Sequence, residues 1–341
     1  MSAQNKSVFE LFDIISNDGV TSVDLVRGVI SFSYYENILS PMITAKAIIV
    51  NTGNTILDKD DEMSSIYNGL PLSGGEKVNI KIPSSGLGPD MEFTEKNGNE
   101  LYVSSITNVL VDAERESFVL NLVSREAITN ETQRVGRKFP SSQKISDSVK
   151  EIIKKSLLSE KYIDVDDTQN PYGFYGNLKK PFYLLTWLAS KSVPAEVGGR
   201  NATAGYFFFE TKEGYHFRSV DSLVSGVPFE REYTYSPGIV DNLDPDKDYK
   251  ILEFTTTRNQ KLIENLQKGA YCSYRMYYNP VDGTFTTPQQ GIFRVSDYAD
   301  KMENLGEDFE ILTPPVDKTG KSLGNVPSRY MTGVLDFGIT E

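Results

Sequence analysis

Ile30-Ser31-Phe32-Ser33-Tyr34 alternates apolar and polar side chains, so Ile30, Phe32 and Tyr34 share one face of a β-strand. Val23 and Leu25 carry the same alternation upstream, and Gly28 marks a bulge or bend between the two halves. An apolar opening runs from Val8 to Ile15. Pro41 breaks the chain, and Met42 to Val50 supplies another strand that ends at Asn51-Thr52-Gly53-Asn54. Strands resume at Lys77-Val78-Asn79-Ile80-Lys81-Ile82, at Leu101 to Val111 and at Phe118-Val119-Leu120-Asn121-Leu122-Val123. Short strands separated by Gly, Pro and Asn turns imply an antiparallel sandwich or barrel.

The period changes after Arg125. Ile145, Val149, Ile152, Ile153 and Leu157 form one stripe of an amphipathic helix, with Ser141 or Ser142 expected at its N-cap. Pro181 opens a second helix whose Phe182, Leu185, Leu188 and Ala189 share a face, and Pro194 stops it. Between the helices, Asp164 to Gly176 reads as a loop. Tyr206 to Glu210 and Tyr215 to Arg218 make a hairpin, with Gly214 free to take a left-handed position. Further on, Tyr249 to Glu264 reads as a strand followed by a helix, with Leu262, Ile263 and Leu266 inward and Gly269 as C-cap. Tyr271 to Tyr278 and Gly291 to Tyr298 flank a turn at Asp282-Gly283, and Tyr330 to Ile339 reads as a last strand.

The chain has 341 residues, a length that suits two or three domains of about 150 residues each. Lys plus Arg number 35 against 47 Asp plus Glu, a formal charge of −12, which argues against a phosphate-backbone binder. Single residues of cysteine and histidine, Cys272 and His216, exclude a disulfide scaffold and a His-rich metal centre. No stretch approaches the roughly 20 apolar residues of a membrane helix, and the N-terminus lacks a secretory h-region. The expectation is therefore a soluble protein made in a cytoplasm.

The search for chemistry selects no catalytic residue, cofactor or metal. Asp244-Pro245-Asp246-Lys247-Asp248 has alternating carboxylates, but Tyr249 stands where a calcium loop needs glycine and Thr255 where it needs a bidentate carboxylate. Asp164-Val165-Asp166-Asp167 and Asp58-Lys59-Asp60-Asp61-Glu62 read as solvated charge runs. His216 lies in an aromatic strand without a nucleophile motif, and Cys272 reads as a small packed residue. Ser73-Gly74-Gly75-Glu76-Lys77 lacks phosphate-loop spacing and leads into a strand. Trp187 sits in a helix as core, which weakens a carbohydrate-binding reading.

Tyr35-Glu36-Asn37-Ile38-Leu39-Ser40-Pro41-Met42-Ile43-Thr44-Ala45, the strand ending at Asn51, and Leu70-Pro71-Leu72-Ser73-Gly74-Gly75-Glu76-Lys77-Val78 resemble the baseplate hub proteins of contractile-tailed phages. Element order follows that family over most of residues 7 to 220. The resemblance implies a non-enzymatic virion protein of the tail baseplate: a homotrimer of two tube-like β-domains per subunit, joining a sixfold tail tube or tube-initiator ring above to a central spike below. It implies tape-measure protein in the lumen, baseplate wedge proteins outside, no membrane insertion, and DNA passing without specific binding. The fold expected is a β-rich α+β chain of two tube-like β-domains interrupted by small α/β insertions. Residues 1–125 form the first tube-like domain, 126–204 a helical insertion, 205–236 plus 306–341 the second tube-like domain, and 237–305 the second insertion. The chain stops at Glu341 directly after a strand, so the second domain is short or continues beyond it. Asp58, Asp60, Asp61, Glu62 and Tyr67, on the long loop from Asn54 to Ser73, and Tyr271 and Tyr277 are expected assembly contacts, because loops of this length are usually functional and Tyr suits interfaces. Three copies would carry three times −12, or −36. The competing reading from another class is a tail-associated cell-wall or polysaccharide-degrading enzyme using an Asp or Glu pair.

Overall fold

Period-two alternation produces β1 (Leu11–Ile15), β2 (Ser22–Asp24), β3 (Val29–Tyr35) and β4 (Thr44–Thr52) in the computed structural model. It describes residues 8–52, 56–57, 63–70, 72–84, 89–112, 115–195, 205–225, 234–235, 250–251, 253–255, 257, 261–298 and 314–339. The bulge falls between Val29 and Ser31 rather than at Gly28. A Cβ at Gly28 would lie 2.9 Å from the Val50 carbonyl, so this glycine permits close approach of β4. The loop expected from Asn54 to Ser73 contains β5 (Ile56–Leu57), β6 (Met63–Ser64) and a single helical turn, α1 (Ile66–Gly69). Then come β7 (Lys77–Ile82), β8 (Met91–Phe93), β9 (Leu101–Val111) and β10 (Arg115–Ser124).

One eight-stranded antiparallel sheet collects most of these strands in the order β2-β1-β7-β9-β10-β4-β3, with β8 beside β7. The sheet curls into a half-barrel. Its end strand β3 brings Phe32 within 6.2 Å of Phe12 on β1, and Tyr34 within 5.0 Å of Phe93 on β8. The concave face buries Phe12, Ile14, Ala47, Ile49, Val78, Ile80, Phe118 and Leu120. Each large side chain so buried contributes about 1.5–3 kcal/mol before chain entropy is counted.

A second core in the same compact unit gathers the segment after β10. α2 (Arg125–Thr132) is a helix that the sequence reading missed, because its polar composition carries almost no apolar stripe. β11 (Lys138–Phe139) precedes α3 (Ile145–Lys155), whose stripe Ile145, Val149, Ile152 and Ile153 is fully buried as expected. Its N-cap is Lys144 and not a serine. The Thr168 hydroxyl, 22 residues away in sequence, accepts the Ser146 N–H at 3.1 Å and does the capping work. β12 (Tyr162–Val165) and β13 (Phe174–Tyr175) occupy what reads in sequence as loop. α4 (Pro181–Ala189) starts with proline in its first turn, and the Asn130 side-chain oxygen accepts its Phe182 N–H at 2.8 Å. Trp187 packs edge-on to Tyr172 and Phe174, as core.

The aromatic hairpin forms as expected, β14 (Tyr206–Thr211) with β15 (Gly214–Ser219). Its place differs from the expected domain division. β15 pairs in parallel with β12, and Tyr206, Phe208, Tyr215 and Phe217 share the core of α3 and α4. The period-two pattern of an aromatic hairpin is the same whichever core receives it, so pattern alone assigned it to a second β-domain. α5 (Val220–Ser225) follows.

The described residues from Asp221 onward fall in a second compact unit. It contains β16 (Thr234–Tyr235) paired in parallel with β17 (Lys250–Ile251), then α6 (Leu262–Lys268), β18 (Cys272–Tyr278), α7 (Pro288–Gly291), β19 (Ile292–Arg294) and β20 (Arg329–Val334). β19-β18-β20 form a three-stranded sheet in which β20 runs parallel to β18 and shares no sheet with the 206–219 hairpin. Gly269 caps α6 in the left-handed conformation as expected. Leu262 and Ile263 are exposed rather than inward. The helix meets the sheet at its C-terminal end, where a Cβ on Gly269 would lie 2.8 Å from Ser273 and 2.9 Å from Arg329. Cys272 is fully buried. The run Asp244–Asp248 lies outside the described residues.

Candidate functional site

The long loop between β4 and β7 is docked at its base. Ile56, Ile66, Leu70 and Leu72 enter the half-barrel core, and Tyr67, half-buried, stacks at a tilt on Phe118. Glu116, at the start of β10, is buried and binds the loop. Its carboxylate accepts N–H bonds from Ile66 at 2.7 Å and Tyr67 at 3.3 Å, and one from the Asn51 amide at 3.0 Å. Of the expected contact residues here, Tyr67 belongs to this foot, and Asp58, Asp60, Asp61 and Glu62 lie outside the described residues. A cleft beside the foot is lined by Asp24, Arg27, Asn51, Thr52 and Met63. Replacing Glu116 with alanine leaves two buried N–H groups without their acceptor and is expected to cost about 2 kcal/mol. Hydrogen exchange should show faster opening at residues 66–70 while β9 and β10 keep their protection; unchanged exchange at the loop would remove Glu116 as its anchor.

Tyr271 is buried inside its own unit, and Tyr277 is half-buried. The Tyr277 ring lies over Gly333, where a Cβ would come within 2.9 Å of it. The face of this sheet that opens to solvent carries other side chains: Tyr330, Val334, Tyr278 and Phe285.

Ser73-Gly74-Gly75-Glu76 forms a nest of N–H groups that is filled from within. The buried Glu76 carboxylate accepts the Ser73 N–H at 2.6 Å and the Gly74 N–H at 3.0 Å, with the Asn17 amide at 3.4 Å. Gly74 and Gly75 have φ of +98° and +94°, which side-chain-bearing residues rarely adopt. An external anion therefore finds this nest occupied by a carboxylate.

Parallel pairing of β12 with β15 puts Asp164 opposite His216. The His216 ring has Nδ1 3.4 Å from Asp164 and Nε2 2.8 Å from the Thr211 hydroxyl, and it stacks on Phe209. Asp164 also accepts from Arg218 at 2.6 Å, and Thr211 accepts the Glu213 N–H at 3.2 Å. Each polar group in this row holds the hairpin turn. The row was invisible in sequence because Asp164 reads as part of a charge run 52 residues upstream of His216.

The most concentrated buried chemistry also escaped the sequence reading. Lys161 donates to Glu126 at 2.8 Å and to Glu210 at 2.7 Å, with all three side chains at 6% exposure or less. Glu210 further accepts the Ile43 N–H at 2.9 Å and the Ser124 hydroxyl at 2.7 Å, and Glu126 accepts from Ser159 at 2.6 Å. The cluster ties the starts of β4 and α2 to β14. Burial raises the Glu210 carboxyl above the usual glutamate range, since Lys161 opposes it incompletely and Glu126 adds to it. Burial pushes Glu126 the same way, but the Lys161 charge and its hydrogen bond more than offset that, leaving Glu126 below the usual range. Burial depresses Lys161, and the two glutamates reverse the effect and raise it.

Among the described residues no group of three or more His, Cys, Asp or Glu side chains converges on a common point. No helix among them is long and apolar enough to cross a membrane.

No protein-family model matches the chain, and no curated protein does. Among solved structures it is similar to the 43 kDa tail protein of prophage MuSo2 from Shewanella oneidensis, with TM-score 0.40 and 10% identity over 61% of this chain and 54% of that one. It is similar to a tail protein from Neisseria meningitidis, with TM-score 0.42 and 8% identity over 96% and 71% of the two chains. It is also similar to a chain of the Francisella PdpA-VgrG complex, with TM-score 0.44 and 10% identity over 97% and 41%. The chain thus spans about half the length of the Shewanella protein. TM-scores below 0.5 carry no functional weight here.

Proposed function

We propose that the chain is a structural subunit of a phage tail, and within it the baseplate hub of a contractile tail: a homotrimer seated between the sixfold tube and the central spike, with no reaction of its own. The observation that carries this reading is the free edge of the half-barrel. Among the described residues β3, seven residues long, pairs with β4 alone and ends the sheet. Unpaired N–H and C=O groups along such an edge favour pairing with a neighbour's strand, and a closed ring satisfies every edge at once. On the convex face beside that edge, Ser33 of β3 stands opposite the exposed Lys46 of β4. Ser31 also lies on β3, and further in, on β10 and β9, Asn121 donates to Ser105 at 3.0 Å. The quoted resemblance of residues 35–45 and 70–78 to baseplate hubs supports the same assignment.

Purified protein should run in light scattering at about 115 kDa, three times 38.2 kDa, and class averages should show threefold symmetry. A stable monomer at micromolar concentration, or a ring of another order, overturns the trimer. A monomer that cleared cell-wall substrate would establish the degrading enzyme in its place.

A further inference from the structure

On a chain of formal charge −12, one short ribbon gathers cations and exposed apolar side chains together. β11 pairs with β13, setting Lys138 opposite Tyr175, and a bridge between Val135 and Lys179 extends the pairing. Arg134, Arg137, Lys179 and Lys180 lie along the two strands and their flanks. Arg137 is bound to Glu151 at 2.6 Å, and Lys180 to Glu131. Arg134 donates only to the backbone carbonyls of Glu131 and Gln133, at 2.9 and 2.7 Å, and the Lys179 ammonium stands 5.4 Å over the Tyr183 ring. Among the described residues neither cation forms a close ion pair, and the carboxylate whose charge Arg134 does feel, Glu131, is already bound by Lys180.

The apolar part of the surface is displayed at a conformational cost. Asn177 and Leu178 have φ of +47° and +54°, and the Lys179 N–H closes the turn onto the Gly176 carbonyl at 2.9 Å. Such turns favour glycine at the second position. Here it holds a leucine that is 68% exposed, between Tyr175 at 50% and Tyr183 at 55%. The turn is held to the facing strand, with the Gly176 N–H donating to the Arg137 carbonyl at 2.9 Å and the Leu178 N–H to the Val135 carbonyl at 3.0 Å. Inside the fold Leu178 covers Gly136 with one methyl, 3.0 Å from where a Cβ would stand, and the rest of its side chain faces solvent.

We propose that this ribbon docks an acidic segment of a partner protein: two of its carboxylates meet Arg134 and Lys179, and an apolar side chain between them packs on Leu178 and the two tyrosines. Charge complementarity selects this occupant. The cations without a close ion pair flank the exposed leucine, so a segment with acids either side of one apolar residue satisfies both features at once.

The test uses the full chain and a fluorescent nonapeptide of glutamates with a central leucine, read by anisotropy. Binding should weaken about tenfold in Arg134→Glu/Lys179→Glu and fall steeply between about 50 and about 300 mM salt. Lys46→Glu, on the half-barrel, should leave it unchanged. Leu178→Gly is the decisive variant: it should melt higher than the parent, because glycine relieves the turn, and yet bind less tightly. A peptide with serine for leucine should bind the parent as weakly as the original peptide binds Leu178→Gly. Equal binding by the charge-reversed or Leu178→Gly protein overturns the proposal. So does no measurable binding by the parent, or preferential binding to phosphatidylglycerol vesicles.

Discussion

Lys161→Met is expected to lower unfolding free energy by about 3–5 kcal/mol, because it strands two buried carboxylates that share one counter-ion. Glu126 and Glu210 have no exposed surface on which to regain hydration. The pH dependence identifies the cause. In the parent, the raised Glu210 contributes stability at acid pH that is lost as pH rises through its folded value. The lowered Glu126 contributes stability that is lost as pH falls through its folded value. The raised Lys161 contributes stability lost only as pH climbs through its own folded value, above the ordinary lysine range. Without the lysine, burial raises both carboxyls. The folded variant then binds protons where the unfolded chain has released them, so its deficit should be larger near about pH 8 than near about pH 5. Urea titrations of both proteins at the two pH values read this directly. A deficit independent of pH would assign the loss to packing. Adding Glu126→Gln and Glu210→Gln to the methionine variant should recover part of the loss, since removing every charge is cheaper than removing one.

Gly214→Ala should cost about 2–4 kcal/mol and act on one pairing. Gly214 has φ +147°, and a Cβ there would sit 2.1 Å from the Tyr162 carbonyl oxygen and 2.8 Å from its carbon. Backbone cannot yield as a side-chain tip can, so β12 must separate from β15 at its first registered pair, Tyr162 with Gly214. Gly283→Ala is the matched comparison. Its φ is +71° with nothing within 4 Å, so only the left-handed backbone opposes alanine, at about 1 kcal/mol. Denaturant midpoints of the two variants should differ in that order, and the Gly214 variant alone should lose amide protection along 162–165. Equal midpoints would mean that β12 moves freely, and that the parallel pair contributes little to this unit.

What was legible in the sequence was what repeats locally. Phe32 and Tyr34 alternate with serine because they face the core, while Ile30, at the bulge, is 65% exposed against expectation. Ile145 to Ile153 repeats at helical spacing because that helix has one buried stripe. Both patterns are read within a dozen residues and need no partner to be recognised. Gly269 and Gly214 were legible for the same reason: a turn asks for a particular φ wherever it stands. The partners of those faces were not legible. Alternation in Tyr206 to Phe217 says that one side is buried, and it is silent on whether the core beyond is a half-barrel or a pair of helices. The long loop read as polar because its four core residues are spaced irregularly and are held down by Glu116, about 50 residues later in the chain. Lys161 reads as an ordinary surface lysine until Glu126 and Glu210, 35 and 49 residues away, close around it. The sequence by itself determined the backbone and the buried side of segments whose pattern repeats locally, such as β4, α3 and the 206–219 hairpin, because propensity and periodicity are short-range. Only the tertiary structure decided which sheet owns the aromatic hairpin, where Asp164 meets His216 and which carboxylates go inside, because desolvation and ion pairing depend on groups that the chain brings together from far apart.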